Sequence, residues 1–317
     1  MTDVSPESAI PITREAAETQ AAMDRVIAAV STVFLGRRVA IETALACVLA
    51  DGHLLIEDTP GSGKTSLSAA LAQALGLGFQ RVQCTNDLLP ADITGLSIFN
   101  RETSEFVLRE GPVFTQLLLA DELNRAPSKT QSALLQAMEE RKVTIDKATL
   151  DLPKPFLVIA TQNPAEQIGT FDLPESQLDR FSLSMQIGRP DYQTQLDILT
   201  GRQTGMPADV PAVIDTDALL DLQAMVRQLP ADAVVMGYIL RLSDMLESLT
   251  PITLSVRFRA QLLRLAQAHA VLHGRHFVAP DDVQAMFAPA VRHRMTRVEP
   301  GARDELTHSA IAKTDLP

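Results

Sequence analysis

Short apolar runs alternate with amphipathic segments over the first 190 residues. The apolar runs at 53–57, 116–120 and 156–160 predict buried strands, and a further strand is predicted at 79–84. Helices are predicted at 21–35, 39–50 and 64–75, each closed by a nearby glycine. The segments 96–108 and 143–152 alternate between apolar and polar residues, which predicts two hairpins. Strands that alternate with helices favour an α/β domain whose parallel sheet is covered on both faces.

Beyond about residue 190 the pattern becomes helical. Apolar residues recur at helical spacing from Val234 to Leu249, and further helices are predicted at 259–273 and from Pro280 onward. We therefore predict three parts: a flexible lead-in at 1–20, an α/β core at 21–189 and a helical domain at 190–317.

Composition narrows the class of protein. The 317 residues are 46% apolar and 21% charged, which is typical of a globular chain. No apolar run reaches the roughly 18 residues of a membrane helix, so we predict no membrane insertion. The acidic start lacks the features of a secretory signal, and two cysteines cannot build a disulfide framework. These features predict a cytoplasmic protein.

The charge balance bears on nucleic-acid binding. There are 28 basic and 39 acidic residues, a net charge of -11, and no tryptophan. Since Lys and Arg supply most of the affinity for phosphate backbones, nonspecific nucleic-acid binding is disfavoured.

The segment 58–65, Asp-Thr-Pro-Gly-Ser-Gly-Lys-Thr, lies between a predicted strand and a predicted helix. This is the context of a phosphate-binding loop, where glycines let backbone N–H groups face phosphate oxygens. Lys64 would reach the terminal phosphates, and Thr65 would offer its hydroxyl to Mg²⁺. Asp58 replaces the usual first glycine. The predicted nucleotide-binding residues here are Pro60, Gly61, Ser62, Gly63, Lys64, Thr65 and Ser66.

Two further strands end in polar residues. Asp121 and Glu122 follow the apolar run 117–120. At the end of such a strand, Asp121 would orient Mg²⁺ through water, and Glu122 would act as general base on the attacking water. Asn163 follows 156–160 at the same sheet edge and would position the water or contact the terminal phosphate.

Together these motifs resemble the AAA+ superfamily, and within it they closely resemble the MoxR family. The matching stretches are 55–65, 87–95, 109–114, 120–127, 138–141, 160–164 and 173–181. They lie in register over about residues 25 to 300, far more than a lone nucleotide motif covers. Members of this family commonly carry an acid at the position of Asp58.

The resemblance implies the architecture and the assembly. It implies strand order 5-1-4-3-2, a small helical lid after about Pro190, and hairpin insertions at about 92–108 and 141–155 that face a pore or a partner. It also implies a homo-oligomeric ring, a hexamer, which binds ATP with Mg²⁺.

Two arginines are implied as well. Arg180 resembles the arginine finger that reaches the ATP of the neighbouring subunit, where a cation stabilises charge in the transition state. Arg259 aligns with the arginine of the lid that contacts nucleotide. The usual glycine and proline around it are missing, however, and Arg257 competes for the role.

The pairs 37–38 and 139–140 are predicted to be solvated surface.

The leading hypothesis is an ATPase that remodels or matures a protein partner. The resemblance implies a separate client chain with a von Willebrand factor A domain. One alternative is a nucleotide-dependent assembly scaffold with little turnover, against which the intact Glu122 argues. Another is a DNA-acting AAA+ motor, which the acidic charge balance disfavours.

Overall fold

The structure is a computed structural model that describes residues 14–59, 61–146, 148–163, 169–200 and 205–316. Its helices are α1 Arg14–Ser31, α2 Arg38–Leu49, α3 Lys64–Ala74, α4 Pro90–Thr94, α5 Ser128–Glu140, α6 Glu175–Leu178, α7 Tyr192–Leu199, α8 Thr216–Gln228, α9 Ala233–Leu249, α10 Val256–Leu272, α11 Pro280–Val291 and α12 Arg303–Lys313. Short 3₁₀ helices lie at Leu123–Arg125, Pro207–Asp209, Arg292–Arg294 and Pro300–Ala302. Its strands are β1 Leu54–Glu57, β2 Phe79–Gln83, β3 Gly95–Asn100, β4 Glu105–Glu110, β5 Leu117–Asp121, β6 Lys142–Ile145, β7 Ala148–Asp151, β8 Leu157–Gln162 and β9 Leu183–Met185.

The main sheet has five parallel strands in the order β2-β5-β8-β1-β9. Counted along the chain within this sheet, the order is 2-3-4-1-5. This is the predicted order 5-1-4-3-2 taken from the other edge, so that prediction is confirmed. The α/β core with a parallel sheet is confirmed with it.

Helices cover both faces of the sheet, which explains why its central strands are apolar throughout. Leu54 and Ile56 of β1 pack into the apolar core beside α1, α2 and α3. Leu55, between them, packs into a second core beside α5. Successive side chains of a strand point to opposite faces, so a strand covered on both sides needs no polar face.

The two predicted hairpins are present. β3 pairs with β4, and β6 pairs with β7, each antiparallel. Both are inserted between strands of the main sheet and stay outside it.

The C-terminal region is helical, as predicted. Leu219 of α8, Tyr238 of α9 and Phe258 of α10 are fully buried. They belong to the same apolar core as α1 to α3. The helical region therefore packs directly on the helices of the α/β core. Among the described residues, no helix is long and apolar enough to cross a bilayer.

Two predicted helix boundaries were wrong. Helix α1 runs from Arg14 to Ser31, not from 21 to 35, so residues 14–20 of the predicted lead-in are helical. Helix α10 begins at Val256 rather than at Arg259, because the Ser255 side chain accepts the Phe258 N–H at 3.0 Å and caps the helix.

Candidate functional site

The carboxyl ends of β1, β5 and β8 bring the predicted motifs together. Register pairs Leu55 of β1 with Ala160 of β8, and Leu119 of β5 with Ile159 of β8. Because parallel strands end at the same sheet edge, the loop after β1, the acids that end β5 and the polar end of β8 are neighbours.

The loop after β1 has the backbone of a phosphate cradle. Gly61 and Gly63 have φ angles of +79° and +93°, in the left-handed region that favours glycine. A Cβ on Gly63 would lie 3.0 Å from the Phe34 ring, so a side chain there would also meet a neighbour. The Ser62 hydroxyl oxygen is buried and has no hydrogen-bond partner among the described residues. Pro60, also predicted to bind nucleotide, lies outside the described residues.

Lys64 is the first residue of α3, and its ammonium lies on the loop. Nζ donates to the Asp58 carbonyl at 2.6 Å and to the Thr59 carbonyl at 3.1 Å. Thr65 and Ser66 follow in the first turn of α3, where backbone N–H groups have no partner within the helix. The N-terminal end of a helix favours an anion.

The Asp58 carboxylate organises the loop. Oδ1 accepts the Thr59 N–H at 2.7 Å, and Oδ2 accepts the Gly188 N–H at 2.8 Å. Gly188 lies shortly after β9, where the chain leaves the sheet for the helical region. The acid that replaces the usual glycine therefore ties the phosphate loop to the start of the C-terminal region.

Asp121 ends β5 and is nearly buried, with both carboxylate oxygens engaged. Thr161 donates its hydroxyl to Oδ1 at 2.7 Å, and Arg81 of β2 donates to Oδ2 at 2.6 Å. The pair with Arg81 is a charge-assisted hydrogen bond between a nearly buried carboxylate and a guanidinium that is 46% exposed.

Glu122 follows with a left-handed backbone, at a φ angle of +55°. Its N–H donates to the Thr161 hydroxyl at 2.8 Å, so one threonine binds both acidic residues. Its carboxylate accepts from Arg125 at 3.2 Å. A non-glycine residue held in this conformation is typical of functional sites.

Asn163 is 4% exposed and lies just after β8. It lines a polar cavity of about 410 Å³ together with Glu57, Asn124, Asp172, His293 and Arg303. Burial raises the pKa of the Glu57 carboxyl, against the opposing effect of Arg303 and Arg292. The cavity thus joins the end of β1 to residues of the C-terminal helices.

Arg180 lies away from this edge, in the turn between α6 and β9. Its side chain is 25% exposed and forms an ion pair with Glu139 of α5 at 3.0 Å. Arg257 at the start of α10 pairs with the other oxygen of the same carboxylate. Glu139 is exposed, as predicted, and its carboxylate is also shared by two arginines.

Arg259 pairs with two acids of α9, with Asp244 at 2.8 Å and with Glu247 at 3.6 Å. In the described part of the chain, none of its hydrogen bonds or ion pairs reaches the phosphate loop.

The structure thus brings together Lys64, Asp121, Glu122 and Asn163, and it holds Arg180, Arg257 and Arg259 elsewhere. A nucleotide contact by Arg259 stays a prediction.

Sequence reasoning missed three residues at the site. Arg81 and Thr161 hold Asp121, and their only signal in the sequence is a polar residue within a strand. Arg37 was predicted to be solvated, but its guanidinium donates to the Ser62 carbonyl and stacks on Phe34, 5.0 Å from the ring centroid. Burial lowers the pKa of Arg37, and the nearby Asp58 opposes that effect.

Comparison with protein families gives two matches. A sequence model of the ATPase family associated with various cellular activities (AAA) matches residues 53–183. A model of the AAA lid domain matches residues 252–314. The first match contains the phosphate loop and both acids, and the second contains α10 to α12.

Several proteins are similar over most of the chain. Chaperone MoxR1 of Mycobacterium tuberculosis is 34% identical, over 91% of this chain and 79% of its own length. Protein MoxR of Paracoccus denitrificans is 30% identical, over 84% and 86%. The uncharacterised protein YeaC of Bacillus subtilis is 43% identical, over 84% of each chain. A crystal structure of a candidate ATPase from Cytophaga hutchinsonii superposes with a TM-score of 0.85 at 31% identity, covering 96% of this chain and 97% of that one.

Proposed function

Because the chain belongs to the MoxR family of AAA+ ATPases, we propose that it hydrolyses ATP with Mg²⁺ and uses the cycle to remodel or mature a protein partner. The observation that carries the proposal is the juxtaposition at one sheet edge. There the phosphate loop with Lys64 lies beside Asp121, Glu122 and Asn163. Phosphoryl transfer needs a cradle for phosphates, a metal ligand and a group that activates water, and these residues supply all three.

The loop fits a triphosphate. The buried Ser62 hydroxyl is unpartnered among the described residues, and no atom lies within 4 Å of a Cβ placed on Gly61. Lys64 bonds to the loop's own carbonyls, which are neutral acceptors. A phosphate oxygen carries charge and would therefore compete well for this ammonium.

The donor set also suits a divalent ion. Thr65 and Asp121 offer a hydroxyl and a carboxylate, which are the hard oxygen ligands that Mg²⁺ prefers. When bound, Mg²⁺ would supply neutralisation of the phosphate charge that grows during transfer.

The chain's own residues would perform the remaining chemistry. Glu122 would accept a proton from the water that attacks the γ-phosphorus, while the bond to the leaving ADP oxygen breaks. Asn163 would hold that water or a γ-phosphate oxygen. The ion pair of Glu122 with Arg125 would have to loosen first, which couples the general base to its surroundings.

Arg180 would act on the neighbouring subunit. It lies remote from its own phosphate loop and close to the surface, as an arginine that works in trans requires. A head-to-tail contact that closes into a ring, a hexamer in our proposal, gives every site one such arginine.

An exposed hairpin would meet the client. The residues of β3 and β4 with large exposed apolar side chains are Leu96, Ile98, Phe99, Phe106 and Val107. The Phe99 and Phe106 rings pack edge to face with centroids 5.3 Å apart. Apolar surface of this kind is typical of protein contacts. Two similar proteins bear the name MoxR and one is named a chaperone, which supports a protein client, in our proposal one with a von Willebrand factor A domain.

The test is steady-state hydrolysis of Mg²⁺-ATP. We expect wild type to turn over, and Glu122→Gln and Arg180→Ala each to lose about 100-fold or more in rate with ATP binding kept. Glu140→Gln is the matched control, since Glu140 is exposed and pairs only with Gln136 in the described structure.

Mixing the two inactive variants tests the trans role. The Arg180→Ala subunits have intact sites, and the Glu122→Gln subunits have intact arginines, so we expect hydrolysis to return. Wild type that assembles in ATP but turns over no faster than Glu122→Gln would instead support the scaffold hypothesis.

A further inference from the structure

A buried arginine of the C-terminal region donates hydrogen bonds to the turn that carries Arg180. Arg294 lies in the 3₁₀ helix after α11, and its side chain is 7% exposed. Its Nη2 donates to the Asp179 carbonyl at 3.3 Å and to the Phe181 carbonyl at 3.0 Å. These two carbonyls belong to the residues on either side of Arg180, so one guanidinium spans the turn, and the neighbouring His293 Nε2 lies 3.1 Å from the Phe181 carbonyl as well.

The Arg294 guanidinium also binds Asp179, the acidic residue of this turn. Nε of Arg294 donates to Asp179 Oδ1 at 2.8 Å, and Ser255 donates its hydroxyl to Oδ2 at 3.0 Å. Both oxygens of Asp179 are therefore bound by residues of the C-terminal region. Thr296 adds a hydrogen bond of 2.8 Å to Glu175, at the start of α6.

Arg294 is itself fixed within the C-terminal helices. Its Nη2 also donates to Gln261 of α10 at 2.6 Å, its Nη1 donates to the Ala290 carbonyl, and its guanidinium stacks 5.1 Å from the Phe258 ring centroid. Nη2 has two N–H groups and three acceptors, so one N–H is shared between two of them. The planar guanidinium, with five donors in a fixed fork, can make these contacts at once, and an ammonium cannot.

The Arg180 side chain, in contrast, is partly exposed, and within the described ranges its ion pair is with Glu139. That carboxylate also binds Arg257 of α10. When Arg180 leaves for another acceptor, Glu139 keeps a cationic partner. Separating Arg180 from Glu139 therefore leaves no carboxylate unpaired, and it costs less free energy than breaking an isolated ion pair.

We propose that Arg294 is a positioning residue for the arginine finger. It fastens the Asp179-Arg180-Phe181 turn to the C-terminal helices, so that the lid of one subunit sets where its Arg180 meets the ATP of the next. The inference rests on the trans role of Arg180 proposed above. Arg294 acts as a clamp through the two carbonyls that flank Arg180 and through the Asp179 carboxylate.

A second contact joins the phosphate loop to the start of the C-terminal region. Asp58 in the phosphate loop binds the Gly188 N–H, where the chain enters the C-terminal region. A change in the phosphate loop of one subunit would thus reach its own lid and, through Arg294, the site of its neighbour. In the proposed ring, these two contacts would be the first and the last on a route from one site to the next.

Arg294→Lys tests the clamp. Lysine keeps the charge beside Asp179 but loses the fork, so we expect the fold to persist and the turn to loosen. Hydrolysis by rings of this variant should fall about 10- to 100-fold, as expected for a misplaced catalytic group, with ATP affinity within about twofold of wild type. Arg292→Lys is the matched control, because Arg292 lies in the same 3₁₀ helix and pairs with Asp304 of α12.

Mixed rings distinguish a misplaced arginine finger from a misfolded subunit. Arg294→Lys mixed with Glu122→Gln should recover hydrolysis, since about one quarter of the interfaces in an equal mixture join an intact site to an intact finger. Arg294→Lys mixed with Arg180→Ala should stay inactive, because both lack a placed finger. The reverse pattern, or full activity of Arg294→Lys alone, would overturn the proposal.

Ser255→Ala is a milder test of the same proposal. Ser255 is exposed, and its substitution removes one bond to Asp179 together with the N-cap of α10, so the stability of the variant is measured beside its rate. We expect a smaller loss of rate with the same pattern in mixed rings, and an unchanged rate would count against the clamp. If the mixture of Arg180→Ala with Glu122→Gln fails to recover, the trans role itself is wrong, which is a different result from failure of the Arg294 variants alone.

Discussion

Every charged group that ATP or Mg²⁺ would meet already has a partner within the chain. Lys64 binds loop carbonyls, Asp121 binds Arg81, and Glu122 binds Arg125. Ligand binding would exchange these contacts for contacts with phosphate and metal. The net free energy of binding is the difference between the two sets, so Arg81 and Arg125 set affinity without being part of the chemistry.

A buried histidine fixes the start of β1. Nε2 of His53 lies 3.1 Å from the Met138 carbonyl, and Nδ1 accepts the Val158 N–H at 3.0 Å. Burial, together with the nearby Arg141, lowers the pKa of His53 to about 3. An imidazole that accepts an N–H bond must be neutral at that nitrogen, so the geometry and the pKa agree.

This histidine makes stability depend on pH. The unfolded chain takes up a proton at His53 below its ordinary pKa of 6.5, and the folded chain does so only near 3. The stability is therefore fully present above 6.5 and is lost as pH falls, by about 1.4 kcal/mol per pH unit between about 6 and 4. Urea unfolding at a series of pH values should show a shallower slope for His53→Gln, whose amide can still donate and accept. Parallel curves for wild type and variant would contradict this assignment.

At the scale of elements, strands were easier to predict than helices. All four predicted strands of the sheet are present. The strands β1, β5 and β8 lie inside the sheet and are nearly uninterrupted apolar runs because they are covered on both faces, whereas β2 is an edge strand with exposed polar side chains. The three-residue β9 was not located, and the helices α4 to α8 and α12 were not predicted. Helix α7 is mostly exposed, with Tyr192 at 76% and Leu199 at 82%, so it has no clear apolar stripe for a pattern to detect.

The hairpin of β3 and β4 depends on the glycine at its base. Gly95 has a φ of +89°, and a Cβ there would lie 2.3 Å from the Arg109 carbonyl and 2.6 Å from the Gly111 nitrogen. Both neighbours are backbone atoms, which cannot move aside without disturbing the ladder.

We therefore expect Gly95→Ala to lower the free energy of unfolding by about 2–4 kcal/mol. Gly301→Ala is the control, because nothing lies within 4 Å of a Cβ there, and it should change stability by less than about 0.5 kcal/mol. Chemical denaturation of both variants would measure the difference. Equal stabilities would mean that the base of the hairpin is more adaptable than this geometry implies.

At the scale of the whole molecule, the C-terminal helices and the α/β core share one apolar core. Phe258 and Leu262 of α10 belong to the same buried cluster as Ile41 and Leu45 of α2. Polar contacts join the two parts at separate points as well, at Gly188 and at Asp179. Ligand binding at the sheet edge therefore has a physical route to the surface that carries Arg180.

Nucleotide should stabilise and assemble the protein. A ligand that binds only the folded state at about 100 times its Kd adds about 2.7 kcal/mol, so Tm should rise with Mg²⁺-ATP. Light scattering or sedimentation should show larger species in nucleotide than without it. Lys64→Ala should lose both effects, and a variant that still gains Tm in ATP would contradict the role of Lys64.

The sequence by itself determined where the phosphate-loop motif and the acids at the end of β5 lie, and its resemblance to a family implied the order of the sheet. The motif and the acids are local features, because each is one contiguous segment next to an apolar strand. Only the tertiary structure decided that Arg81 binds Asp121, 40 residues away, or that Arg294 binds Asp179, 115 residues away. Such pairs form because distant segments pack together, and no periodicity in either segment records the other. The partners that hold Arg180 and Asp121 could therefore be known only once the chain was folded.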